Sequence, residues 1–384
     1  MAAMSDDPND EALTRTVITR TGLLGSKPGA EDDRAHYLVV VEGEQLGLRI
    51  ELGPGKLILG RADPADIVIA DSQVSRKHCR VGLVMGELFV TDLDSSNGTF
   101  VAGNRISGSK LVAPGERVTI GETVLEHEWR SKREVDAARE LDSDLDKAKG
   151  YVRSLLPQPL AHGRVLTNWV LQPSARLGGD MFGYHFLDEG RFAIYLLDVT
   201  GHGINAAMHA VSVMNVLRQP GSQTGVDGGD PAALAAHLNT MFPMERHNGM
   251  LLSLWYGVFD LDAHEVAFTS AGHHAAYVVG PDRQAAVPLD VSNVLIGMIP
   301  DYAFKTGRAR FAAGSSVYLF SDGVFEVAAA DGNGWTGLPD FVGLLTAPAA
   351  PGKPESQRIL QAVKSRTGRQ AFEDDFTLVV AALG

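Results

Sequence analysis

Leu196-Leu197-Asp198-Val199-Thr200-Gly201-His202-Gly203 carries an apolar run into a carboxylate, then a glycine-rich turn, then a helix-like segment from Ile204 to Leu217. An Asp at the end of a buried strand is costly unless something compensates its charge. Three other acidic turns stand beside apolar runs: Gly178-Gly179-Asp180, Ser321-Asp322-Gly323 and Glu373-Asp374-Asp375-Phe376-Thr377. Taken singly, each Asp-Gly pair reads as a turn. Brought together, four such carboxylate sites would hold hard divalent cations, which take oxygen ligands. The neighbouring glycines let the backbone approach and let a carbonyl join the coordination.

Working outward, residues 161–384 read as one domain. The segments 165–171, 191–197, 252–259, 265–270, 275–279, 316–320 and 376–382 have strand character, and 204–217, 231–241, 338–345 and 356–365 helix character. Long runs of strands with helices in pairs predict an α+β fold, two layers of sheet flanked by helices. Segments 220–230 and 347–354 are Gly/Pro-rich loops.

Residues 36–130 read differently. Short strands with Pro and Gly punctuation every eight to twelve residues predict an all-β sandwich. Its polar loops are Gly60-Arg61, Ser75-Arg76-Lys77-His78 and Ser95-Ser96-Asn97-Gly98-Thr99. Arg61 offers a planar fork of donors suited to phosphate, Ser75 a hydroxyl, and Asn97 an amide able to grip an extended peptide backbone. Between the domains, 131–160 predicts a helical linker. Ala138, Leu141, Leu145, Ala148, Val152 and Leu155 repeat at a/d spacing, which fits either a helix packed on the next domain or a short coiled coil forming a homodimer through 138–155. Leu156-Pro157-Gln158-Pro159-Leu160 stops the helix. Residues 1–35 are polar and read as a disordered tail; Thr14, Thr16, Thr19 and Thr21 within it would be accessible to a kinase.

The chain has 384 residues, enough for about two to three domains. Its net charge of −13 argues against nucleic acid as a partner. An acidic protein that works on phosphate needs a local cation, either Arg/Lys or a metal. The single cysteine, Cys79, excludes an internal disulfide framework and predicts a reducing compartment. The acidic start lacks the apolar stretch of a secretory signal, and no window approaches about 18 uninterrupted apolar residues. The expectation is a soluble, cytoplasmic protein without a membrane partner.

The loop set at 60–61, 75–78 and 95–99 resembles the forkhead-associated (FHA) domain. The resemblance implies that Arg61 and Ser75 hold a phosphothreonine, that Asn97 holds the peptide main chain and that His78 braces the loop, with Arg76 and Lys77 adding positive potential. Leu155-Leu156-Pro157, Gly178-Gly179-Asp180, Asp198 to Gly203, Ala271-Gly272-His273, Ser321-Asp322-Gly323 and the terminal Asp374 to Val380 together resemble the metal-dependent PPM-type serine/threonine phosphatases, in the SpoIIE-like branch of sporulation and stress-response phosphatases. That family has an αββα sandwich of two antiparallel sheets.

By this resemblance Asp198 bridges two divalent cations, Mn²⁺ or Mg²⁺. Asp180 and the Val199 carbonyl complete one site, and Asp322 and Asp374 the other. Asp198 and Asp180 are then the catalytic carboxylates, acting through a metal-activated water on a phosphoserine or phosphothreonine. The resemblance also implies STAS-type anti-anti-sigma regulators as substrates and a Ser/Thr kinase as counterpart. His274-Ala275 departs from the Pro that relatives carry after Ala-Gly-His. Arg176 is the nearest candidate to hold substrate phosphate. His202 and His273 read as structural rather than as general acids. The competing readings are an FHA scaffold with an inactive phosphatase-like domain, and a metal phosphohydrolase of small phosphoesters. The Thr14–Thr21 segment, once phosphorylated, is a candidate ligand for the chain's own FHA loops.

Overall fold

A computed structural model describes residues 33–201, 203–218, 226–328 and 337–384. The Thr14–Thr21 segment and His202 lie outside the described residues. Two compact units are present, 1–142 and 143–384.

The first unit contains β1 (Arg34–Glu42), β2 (Arg49–Leu52), β3 (Lys56–Gly60), β4 (Ile67–Val68), β5 (Cys79–Val84), β6 (Glu87–Asp92), β7 (Thr99–Val101), β8 (Asn104–Arg105), β9 (Ser109–Val112), β10 (Arg117–Ile120) and β11 (Thr123–Ser131). They form two sheets, ordered β2-β1-β11-β10-β7-β8 and β4-β3-β5-β6-β9. In β11 the alternation is clean: Thr123, Leu125 and His127 are buried, while Val124 and Glu126 lie between them, half-exposed. Leu38, Leu59, Val81, Val90 and Leu125 belong to the shared core. Cys79 sits within that core, and burial pushes its thiol up to about 12, so it is inert packing. This is the sandwich that the turn spacing predicts. β8 and β9 escape sequence reading because they are nearly all exposed; only Val112 turns inward.

Helix α1 (Lys132–Leu155) fills the expected linker. At its start Val135 is buried with Ala35, Tyr37 and Val39. Within the second unit, Val152 and Leu155 pack on that unit's hydrophobic core. Leu141 of the same seam is 57% exposed. Only the last part of the a/d pattern is therefore explained by packing within the chain.

The second unit contains β12 (Val165–Gln172), β13 (Met181–Phe186), β14 (Arg191–Val199), α2 (Ile204–Leu217), α3 (Pro231–Met241), β15 (Leu252–Asp260), β16 (Glu265–Ala271), β17 (Ala276–Val279), β18 (Ala286–Leu289), β19 (Ser292–Asn293), β20 (Gly307–Arg310), β21 (Ser316–Phe320), α4 (Leu338–Thr346), α5 (Glu355–Thr367) and β22 (Phe376–Leu383). One sheet runs β12-β22-β21-β17-β18, the other β13-β14-β15-β16-β19 with β20 beside β16. Helices α2 and α3 pack on the second sheet, α4 and α5 on the first. The order is helix, sheet, sheet, helix. β14 and β22 are buried almost end to end, because layers cover both faces. Phe341, Leu344, Ile359, Phe376 and Leu378 fill the space under α4 and α5. Asp230 caps α3 by accepting Ala232 N–H and Ala233 N–H, with Pro231 in the first turn. No helix among the described residues is long and apolar enough to cross a membrane.

Candidate functional site

The topology brings the four acidic turns together. Asp180 immediately precedes β13, and Asp198 is the penultimate residue of β14. These strands are antiparallel, with Met181 opposite Leu197, so the start of one lies beside the end of the other. The other sheet repeats the device: Asp322 follows β21, Asp374 and Asp375 precede β22, and Phe320 faces Leu378. Each sheet thus delivers one acidic strand end and one acidic strand start.

Hydrogen bonds lock these turns to one another. Thr377 Oγ1 donates to Asp180 Oδ2 at 2.6 Å, both residues being buried. Asp375 Oδ1 accepts from Ser174 N–H (2.8 Å) and Ser174 Oγ (3.1 Å), and its Oδ2 from Asp180 N–H (3.4 Å). Ser321 Oγ donates to the Asp375 carbonyl at 2.8 Å and accepts Thr377 N–H at 3.1 Å. The glycines are required by proximity. A Cβ on Gly178 would lie 1.9 Å from Asp375 Oδ2, one on Gly179 2.7 Å from the Val199 carbonyl, and one on Gly323 2.3 Å from the Asp375 carbonyl. Gly201 and Gly203, with φ of 96° and 84°, make the left-handed turn into α2.

The electrostatics follow from burial and like charge. Burial, then Asp198 and Asp375, raises the Asp180 carboxyl well above the usual range, opposed by hydrogen bonds from Thr377 and Ser321. Burial, then Asp322, Asp374 and Asp375, pushes Asp198 up to about 7. Five carboxylates, Asp180, Asp198, Asp322, Asp374 and Asp375, are therefore linked by mutual repulsion across a small space. A cavity of about 200 Å³ is lined by Asp198, Thr200, Ser253, His273, His274 and Asp322, among others. Among the described residues, no three Asp, Glu, His or Cys side chains stand at ligating distance of a common point. The donor set nevertheless fits a hard divalent cation: every donor is oxygen, and the mutual repulsion is of the kind a cation relieves.

Of the acidic residues picked from sequence, Asp198 and Asp322 line this cavity, while Asp374 and Asp180 are tied to Asp198 through charge. Asp374 and Asp375 divide their roles. Asp375 is buried and spent on Ser174 and Asp180, whereas Asp374 is exposed and accepts Asp375 N–H at 2.8 Å. His273 donates from Nδ1 to the His274 carbonyl, and burial pushes it down to about 4; His274 falls to about 2. Both are neutral imidazoles held in place. Arg176 is not on this cavity. It lies 3.8 Å from Asp146 on the wall of a separate one. Sequence reasoning gave no role to Ser174, Ser321, Thr377 or Asp375; a signal was available, since a buried carboxylate implies nearby donors.

In the first unit the three predicted loops meet. Arg61 N–H donates to the Ser75 carbonyl at 3.1 Å, and a Cβ on Gly60 would lie 1.9 Å from the Arg76 carbonyl, so only glycine fits there. His78 is fully buried. Its Nδ1 accepts Ser75 N–H (3.1 Å), which leaves Nε2–H to donate to the Gly98 carbonyl (3.1 Å). The ring is therefore neutral and pins two loops, and burial lowers its pKa. Ser75 Oγ accepts Ser96 N–H at 3.0 Å. Asn97 Nδ2 donates to the Gln73 carbonyl (2.7 Å) and side chain (3.0 Å). Asp92 gathers Ser95 and Thr99 hydroxyls beneath the loop. Arg61, Arg76, Lys77 and Asn97 are exposed.

The sequence matches the family described as "Stage II sporulation protein E (SpoIIE)" over residues 188–384, just over half the chain, and "FHA domain" over 57–121. "Phosphoserine phosphatase RsbU" of Bacillus subtilis (strain 168) is 25% identical over 244 residues, 63% of this chain and 70% of that protein. "FHA domain-containing protein FhaB" of Mycobacterium tuberculosis (strain ATCC 25618 / H37Rv) is 38% identical over 119 residues, 30% of this chain and 77% of that protein. The "SiaA-PP2C domain of Pseudomonas aeruginosa" superposes with a TM-score of 0.56 at 19% identity, covering 65% of this chain and 99% of that one, a likeness of fold.

Proposed function

The chain belongs to the stage II sporulation protein E family, and from that premise we propose a metal-dependent phosphoserine/phosphothreonine protein phosphatase addressed by an FHA module. The convergence of Asp180, Asp198, Asp322 and Asp374 from four turns on two sheets carries this reading. Two divalent cations, Mn²⁺ or Mg²⁺, would supply a water nucleophile and neutralise phosphoryl oxygens. Asp198 would bridge them. Asp180 and the Val199 carbonyl would hold one, and Asp322 and Asp374 the other. Thr377 favours the ionised form in which Asp180 would ligate, against burial and like charge, and Asp375 fixes the Ser174–Asp180 turn. The neutral His273 and His274 wall the cleft without adding charge. Cys79, buried in the first unit, takes no part.

Arg61 and Ser75 would hold a phosphothreonine, Asn97 the peptide backbone, with Arg76 and Lys77 adding attraction and His78 bracing the loops. The likeness to a phosphoserine phosphatase supports a phosphoserine substrate; within that class we propose phosphorylated STAS-type regulators, opposed by a Ser/Thr kinase. The exposed Leu141 end of the α1 seam leaves room for a homodimer contact.

Hydrolysis of p-nitrophenyl phosphate should require Mn²⁺ or Mg²⁺ and vanish in Asp198→Asn. Metal-independent turnover would sink the mechanism, and an inactive wild type that binds phosphopeptide would favour a scaffold. Arg61→Ala should abolish phosphothreonine-peptide binding and leave that hydrolysis intact. Loss of both would contradict the division of labour. A panel of phosphorylated STAS-domain proteins then tests the substrate class.

A further inference from the structure

The cavity end of the second unit carries an apolar surface that the metal chemistry does not use. Topology puts it there. β14 ends at Val199, opposite Leu252, where β15 begins. Helix α2 therefore starts at the cavity end, at Ile204. Helix α3 finishes at the same end, because only the short helical turn Met244–Arg246 and a few loop residues separate it from β15. Ile204 and Met208 of α2, Met241 at the end of α3, and Met298 and Ile299 beyond β19 are each 43–62% exposed. Hydrogen bonds and packing join these segments. Asn239, buried in α3, donates from Nδ2 to the Ile299 carbonyl at 2.9 Å and accepts Gly297 N–H at 2.7 Å. Met244 N–H donates to the Gly297 carbonyl at 3.1 Å. The ring of His209, next to Met208, packs on Phe242 at 5.4 Å and on His247 at 4.8 Å.

The same segments reach the mouth of the acidic cavity, which Thr200 and Leu295 line. Thr200 stands four residues before Ile204, and Leu295 three before Met298. Thr200 Oγ1 donates to the Leu251 carbonyl at 3.0 Å, beside Met250. A phosphoryl group that enters the cavity thus brings the chain that bears it onto this rim. Five of the chain's ten methionines collect here: Met208, Met241, Met244, Met250 and Met298. Thioether side chains are flexible and adapt to varied apolar shapes, while the backbone beneath is fixed by Asn239. Exposed apolar clusters at the edge of a site mark contact surfaces.

We propose that this methionine-rich surface docks the protein part of the phosphorylated substrate, taking apolar side chains on either side of its phosphoserine. This docking role rests on the phosphatase reading above, and it gives that site a preference among substrate sequences.

The probes are two synthetic peptides, one with leucines on both sides of a phosphoserine and one with serines in their place. They are assayed with Mn²⁺ on the full chain carrying Arg61→Ala, so that the FHA loops do not contribute. The leucine peptide should have the higher kcat/KM by about tenfold, the scale of burying one or two apolar side chains. Met208→Asp and Met298→Asp, both at exposed positions, should each erase most of that advantage through KM, with p-nitrophenyl phosphate turnover within about twofold of the parent. Met298→Leu should retain the preference. No preference in the parent chain overturns the docking role. So do variants that lower p-nitrophenyl phosphate turnover as much as peptide turnover, since the residues would then support the cleft itself. Peptide turnover unchanged in both Asp variants, with self-association that Met208→Asp abolishes, would assign the surface to a second copy of this chain and overturn the role as well. A chain inert toward every substrate sinks the phosphatase reading. Fluorescence anisotropy of the labelled leucine peptide then decides the surface separately: weakened binding in the Asp variants upholds it, and unchanged binding removes it.

Discussion

Replacing Thr377 with Val removes one hydroxyl and leaves the shape of the side chain nearly unchanged. In the folded protein that hydroxyl donates at 2.6 Å to Asp180, in a region where Thr377 is fully buried and Asp180 nearly so. A short O–H to carboxylate bond of this kind is charge-assisted. Hydrogen bonds to charged groups contribute about 1.5–3 kcal/mol, and a buried acceptor left without its donor costs as much again at worst. Thr377→Val should therefore destabilise the second unit by about 2–3 kcal/mol. The hydroxyl also holds the Asp180 carboxyl down against burial and against Asp198. Without it Asp180 keeps its proton to higher pH, and a protonated carboxyl does not ligate a cation. Loss of such an outer partner typically weakens metal binding by about 10–100-fold, and here the loss should be largest at the acid end. Urea unfolding followed by tryptophan fluorescence reads the first effect, and Mn²⁺ titration calorimetry at several pH values the second. Thr377→Ser keeps the hydroxyl and should restore both. An unchanged urea midpoint together with Mn²⁺ affinity within about twofold of wild type would refute the reasoning. Equal damage from Ser and Val would show that methyl packing, not the hydroxyl, matters.

Gly323→Ala places a Cβ 2.3 Å from the Asp375 carbonyl, a backbone atom that cannot step aside cheaply; a loss of about 1–3 kcal/mol is expected in the same urea assay, and a wild-type midpoint would show that the turn yields. In the first unit, burial lowers the His78 pKa below its ordinary value, so the folded state takes up its proton at lower pH than the unfolded one. The stability from neutral His78 is then fully present above about 6.5 and lost as pH falls through the folded pKa. Burial lowers His36 and His127 as well, so His78→Gln should flatten the acid-side fall in melting temperature in part; an unchanged slope would remove His78 from the account.

Much of both units was legible because local chemistry and final structure agree. Ile204–Leu217 is a helix in the bounds its pattern suggests, entered through two glycines whose backbone only glycine adopts freely. Asp230-Pro231 announces α3. Less visible were strands whose partners, not their own residues, define them. β13 contains Gly183, which reads as a break, yet a Cβ there would lie 2.2 Å from the Tyr195 hydroxyl of the paired strand. β18, β19 and β20 are edge segments, largely half-buried or exposed, with no alternating pattern.

The acidic turns show the limit most clearly. Asp374 and Asp375 are chemically identical neighbours, and composition cannot rank them. What separates them is the two-residue period of extended chain. Asp375 and Thr377 point the same way, into Asp180 and the turn that carries it, and both are buried. Asp374 lies in the bend just before β22, accepts Asp375 N–H and stays exposed. Once Thr377 is taken as the donor a buried carboxylate demands, alternation makes Asp375 its companion, which leaves Asp374 as the ligand we propose. That step needs one long-range fact, the pairing of Thr377 with Asp180 across 197 positions. Everything else in it is written in the sequence.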